Sequence, residues 1–129
     1  MRTVFIAAAL ALAGPALAAD PAGLLAGYQA QARKADGAFS ASAGRGEQFF
    51  TARHGGEWSC ASCHGAPATG QGKHAKTGKA IAPLAPAANA ERFADAGKVE
   101  KWFRRNCNDV LGRACTPSEK ADVLAYLLK

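Results

Sequence analysis

The chain has 129 residues, the size of one small domain. Its formal net charge is +6, from 16 Lys and Arg against 10 Asp and Glu. On an exported chain that moderate excess points away from nucleic acid and suits either docking on an acidic protein or an ordinary solvated surface.

The first segment bears on export. Met1, Arg2 and Thr3 precede an apolar run from Val4 to Ala13, and Gly14 and Pro15 break it. Small residues follow at Ala16 and Ala18. This is the three-part build of a secretory signal peptide, residues 1–18, with a cut after Ala19 as the alternative. The run is too short to span a bilayer, which takes about 20 apolar residues. Residues 19–129 then form a single domain in the periplasm, without stable membrane insertion.

Asp20-Pro21 is a helix start, an N-cap followed by proline at the first helical position. Leu24, Leu25 and Tyr28 lie at helical spacing, which predicts a helix from Pro21 to Arg33. Ala35 to Ser42 is small and polar, hence a loop. Ser42 caps a second helix, from Ala43 to Arg53. Gly46 and Phe50 share one of its faces, and the glycine lets another helix approach closely. His54-Gly55-Gly56 ends it.

Cys60-Ala61-Ser62-Cys63-His64 is the attachment signal for c-type haem. Cys60 and Cys63 can each form a thioether to a haem vinyl group. The adjacent His64 imidazole can bind the iron from the proximal side. A zinc site needs a second ligand pair at suitable spacing, and a redox dithiol needs a βαβ context. The sequence supplies neither, so the expected cofactor is one covalent haem c. It would add a large apolar centre for short helices to pack around. Trp58 is expected to pack on that haem or cap its pocket.

From Gly65 to Ala90 the chain is rich in Gly, Ala and Pro. Pro67, Pro83 and Pro86 preclude long regular elements, which predicts an extended wrap around one haem edge. Lys73, His74, Lys76 and Lys79 read as a solvated basic loop. Asn89 caps a short turn through Glu91, Arg92 and Phe93. A helix is predicted from Ala96 to Arg105, with Val99, Trp102 and Phe103 as an inward stripe and Lys98, Lys101, Arg104 and Arg105 outside. After a connecting segment, Thr116-Pro117-Ser118-Glu119 forms a capping box. The last helix runs to Leu128. Its Val123, Leu124, Tyr126, Leu127 and Leu128 require burial, between the Gly46–Phe50 helix and the haem. No strand pair with turn chemistry is visible, and the fold is read as all-α.

Cys107 and Cys115 remain. An even cysteine count and an exported chain favour a disulfide between them. Chain entropy predicts about 2.6 kcal/mol from so short a loop. The bridge pins a segment that begins one residue after Asn106.

Electron-carrying c-type cytochromes commonly use a methionine as the sixth iron ligand. The single methionine here is Met1, which leaves with the signal. The distal candidates are then His54, His74, a weak ligand such as an asparagine side chain, a lysine, water, or none. A second histidine makes a closed, low-potential shuttle. An amide oxygen is a hard, weak donor that tolerates ferric iron and binds ferrous iron poorly. Reduction would then open the site to O₂, NO or CO. A haem enzyme reducing O₂ or another small oxidant is a further reading. No acid–base set stands beside the motif, and turnover is left open.

Gly46-Glu47-Gln48-Phe49-Phe50, the haem motif and Asp122-Val123-Leu124-Ala125-Tyr126-Leu127 resemble the terminal-helix and haem segments of class I cytochromes c. In that family the two helices cross where glycine meets an aromatic ring. More narrowly, Lys101-Trp102-Phe103-Arg104-Arg105-Asn106-Cys107 followed by Cys115-Thr116 resembles the oxygen-binding cytochromes c of the sphaeroides haem protein (SHP) type. The resemblance covers essentially all of residues 19–129. It implies a class I cytochrome c fold of short helices around one covalent haem. It also implies an asparagine that ligates oxidised iron, leaves on reduction and gives way to diatomic gases, with a disulfide beside it. Carried over by motif, His64 is the proximal ligand, Asn106 the displaceable distal one and Cys107–Cys115 the bridge. Asn108 competes, and Asn106 is preferred because it immediately precedes the cysteine. The resemblance further implies a dihaem cytochrome c and a membrane cytochrome b as electron donors.

Overall fold

The computed structural model describes residues 19–129, and the export signal read over residues 1–18 lies outside them. The fold is all-α apart from one minimal strand pair. Its helices are α1 (Pro21–Ala32), α2 (Ala43–Thr51), α3 (Cys60–His64), α4 (Ala96–Leu111) and α5 (Pro117–Leu127). The caps read from the sequence are all in place. Asp20 accepts from the Gly23 amide at 2.8 Å, ahead of Pro21. Ser42 accepts from the Arg45 amide. Thr116 and Glu119 cap one another reciprocally, at 2.7 and 3.2 Å.

The core forms around α5, which packs on α2 with one side and on α1 with the other. On the α2 side Gly46 is buried, and a Cβ there would strike the main-chain carbonyl oxygen of Asp122. Phe50 lies beside it, with its ring centroid 5.4 Å from that of Tyr126. The buried Asp122 carboxylate accepts from the Ser42 amide at 2.7 Å and from Arg45 Nε and Nη2, each at 2.8 Å. On the α1 side Leu124 and Ala121 pack with Tyr28 and Val99, and Leu124 is fully buried. The glycine–aromatic crossing thus puts α5 against the Gly46–Phe50 face, as the residue pattern predicted.

Three expectations need correction. The helix predicted to stop at Arg105 runs on to Leu111, so Asn106, Cys107 and Asn108 are helical rather than loop residues. Nothing between Arg105 and Leu111 breaks a helix; the stop comes at Gly112, in the left-handed region with φ 69°. Trp102 does not pack in the protein core; it lies on the side of α4 that also carries Asn106, four residues on. It is 49% exposed, because the buried face centres on Val99, Phe103 and Cys107, and Trp102 sits about 100° from Phe103 around the axis. The Arg105 guanidinium covers its ring at 5.2 Å. The Gly65–Ala90 wrap also holds two short strands, β1 (Gly72–Lys73) and β2 (Ala80–Ile81), paired antiparallel with Gly72 opposite Ile81. Gly78, at φ 69°, makes the return between them.

Candidate haem site

The Cys60–His64 motif is itself a helix, the five-residue α3. Ser59 starts it: its hydroxyl accepts from the Ser62 amide at 3.1 Å, while Ser62 Oγ accepts from the Ser59 amide at 2.9 Å. Gly65 stops it at φ 74°. One turn of helix puts positions i, i+3 and i+4 on the same side, so Cys60, Cys63 and His64 share a face. Both thiols are free and half-buried. Burial pushes the Cys60 thiol up to about 11, so it stays protonated. Burial, with the Arg92 charge adding to it, pushes His64 down to about 4. The imidazole is therefore neutral at physiological pH, the form that binds a metal.

The walls around α3 come from three elements. The Phe50 ring of α2 lies 6.3 Å from His64. Gly72 of β1 backs the motif so closely that a Cβ there would strike the Cys63 carbonyl oxygen. The Ala75 amide donates to Cys63 Sγ at 3.3 Å. Arg92 is fixed by its bonds to the carbonyl oxygens of Pro83, at 2.9 Å, and Ala82, at 2.7 Å. His64 Nδ1 is buried and has no hydrogen-bond partner within the described chain. Two free thiols and a neutral imidazole on one helical face fit a covalently attached haem.

The distal candidates separate by position. Asn106 is half-buried, and Asn108 is exposed on the far side of α4. Asn106 adjoins Cys107, which is buried and bonded to Cys115, with the Cα atoms 5.6 Å apart. His54 is exposed, and its Nε2 donates to the Phe49 carbonyl at 2.8 Å. His74 opens the turn that packs against Cys63, and its Nδ1 accepts from the Thr77 amide at 3.3 Å. No methionine occurs among the described residues.

Sequence reasoning named Arg92 only as part of a turn, and it missed Gly72 as the backing of the motif. Both depend on how the proline-rich wrap folds back, which no local pattern announces. The Ser59–Ser62 box was missed as well, and its signal is a serine at each end of an N-cap to N3 spacing.

Residues 36–127 match a family described as a domain of unknown function (DUF1924). The chain is 53% identical over 131 residues to the cytochrome c-type protein SHP of Cereibacter sphaeroides, covering 97% of each. Its fold is similar to that of oxidised SHP, an oxygen-binding cytochrome c, with a TM-score of 0.76 and 51% identity over 85% of this chain and 96% of the other. It is also similar to the solution structure of cytochrome c'' of Methylophilus methylotrophus, a structure concerned with haem-ligand detachment. There the TM-score is 0.74, with 42% identity over 83% of this chain and 90% of the other. The chain therefore belongs to the family of SHP and cytochrome c'', monohaem c-type cytochromes that carry a covalent haem c.

Proposed function

We propose that this is a periplasmic electron-transfer cytochrome whose distal amide ligand lets go on reduction and makes room for O₂, NO or CO. Cys60 and Cys63 hold the haem by thioethers. His64, neutral and half-buried, serves as proximal ligand. Asn106 serves as the weak distal one. A bound haem would supply a one-electron couple and an iron able to take a diatomic gas. An amide oxygen favours ferric over ferrous iron, so Asn106 leaves when the electron arrives. Cys107, anchored through Cys115, keeps the departing side chain near its place.

The observation that supports this best is the contrast along α4. Asn106 lies on its half-buried side next to an anchored cysteine, while Asn108 is exposed. The relatives' descriptions agree with it, one as oxygen-binding and one as concerned with haem-ligand detachment. Export through residues 1–18 fits a haem attached to cysteines. Among the described residues no helix is long and apolar enough to cross a membrane. The exposed Lys98, Lys101, Arg104 and Arg105 suit an acidic electron donor, in the family's terms a dihaem cytochrome c or a membrane cytochrome b. Asn106→Ala tests the reading: the oxidised haem should turn from low spin to high spin. An unchanged oxidised spectrum would mean another residue is the ligand.

A further inference from the structure

If Asn106 is the distal ligand, something must hold α4 in the rotation that turns its amide inward. α4 is 16 residues long and touches the rest of the fold through few side chains. The disulfide at Cys107 is one tie. A second is a cluster two turns earlier, beside the buried Val99. Tyr28 of α1 donates to Glu100 Oε1 at 2.6 Å, and Lys120 of α5 donates to Glu100 Oε2 at 2.8 Å. The Lys120 ammonium also lies over the rings of Tyr28 and Phe103, at 5.3 and 5.7 Å. Tyr28 and Phe103 meet edge to face, 5.7 Å apart at 87°.

Glu100, Phe103 and Cys107 follow one another along one side of α4 at steps of three and four residues. Asn106 lies beside that line, between the Phe103 and Cys107 contacts. The two oxygens of the Glu100 carboxylate are taken by two different helices. The carboxylate is thus tied to α1 and α5 at once, and a roll of α4 moves it relative to both partners. Tyr28 is 3% exposed, so a broken bond would strand its hydroxyl in the core. Burial and the Glu100 carboxylate also raise the pKa of that hydroxyl well above its ordinary value, which keeps it a donor.

We propose that Tyr28, Glu100 and Lys120 are positioning residues for Asn106: together they set the rotation of α4 that holds the amide in its ligating place. The proposal rests on the reading of Asn106 given above.

The test uses the haem-loaded protein and four variants. Tyr28→Phe keeps the ring and removes only the hydroxyl. Glu100→Gln keeps an acceptor for Tyr28, and Glu100→Ala keeps none. Arg45→Ala cuts the tie between α2 and α5 and serves as a structural control. Each is read by the spin state of the oxidised form, the reduction potential and the urea midpoint. Tyr28→Phe and Glu100→Ala should raise the high-spin to low-spin ratio roughly tenfold, as expected for one charge-assisted hydrogen bond. The potential should rise with it, and Glu100→Gln should shift both by less. Arg45→Ala should lower the urea midpoint and leave spin state and potential alone. If the α4 variants lower only the urea midpoint, the cluster is structural and the proposal is overturned. If Asn106→Ala itself leaves the oxidised spectrum unchanged, the ligand reading falls and the proposal falls with it, by a visibly different result.

Discussion

Gly46 of α2 and Asp122 of α5 touch with no space for a side chain between them: a Cβ on Gly46 would meet the Asp122 carbonyl oxygen. The obstacle is main chain, which cannot swing aside. This contact sets the crossing of the two helices, and Phe50, one turn on, faces both Tyr126 and His64. Gly46→Ala should therefore cost about 1–3 kcal/mol or more, the range for overpacking a fitted contact. Urea denaturation of the haem-loaded protein measures it.

That crossing was readable because its signals are local. A glycine four residues before an aromatic, a capping box and an apolar helix each carry their own meaning. The haem motif is equally self-contained. The extent of α4 was not readable, because the polar run Asn106-Cys107-Asn108-Asp109 resembles a loop in composition and is held helical by Cys107 and Val110 facing inward. Trp102 was misplaced for a related reason. Its spacing fits the stripe, but the stripe's centre depends on where Tyr28 and Lys120 meet Glu100 and Phe103, residues far apart in sequence.

The Cys107–Cys115 bridge closes a short loop across the end of α4. Replacing both cysteines by serine should lower stability by about 2.6 kcal/mol on the chain-entropy account. It should also weaken the ligation of oxidised iron, since Asn106 loses its anchored neighbour. Urea midpoints and the oxidised spectrum read the two effects separately.

Arg113 donates to both oxygens of Glu119, at 2.9 and 2.7 Å, and holds that carboxyl below its ordinary value of 4.5. The unfolded chain then takes up the proton first as the pH falls. The contribution is complete above the unfolded value and is lost as the pH drops through the lower, folded one. Glu119→Gln should be less stable than the parent at pH 7, and the gap should close in acid. Urea midpoints followed from pH 7 to pH 3 check this; a gap that widens in acid would contradict it.

His54 and His74 are both tied into local turns by main-chain partners. His54→Ala and His74→Ala should each leave the oxidised spectrum in its low-spin form. Loss of the low-spin form in either variant would identify a second histidine ligand and return the chain to the class of simple electron shuttles.

The central claim is a distal ligand that holds oxidised iron and releases reduced iron. It is tested most directly by optical spectra of the parent and Asn106→Ala, oxidised and reduced, each with and without CO. The parent should be low spin when oxidised, high spin when reduced, and should take CO only when reduced. Asn106→Ala should already be high spin when oxidised. A parent that stays six-coordinate in both states and ignores CO, with the variant indistinguishable from it, would contradict the account.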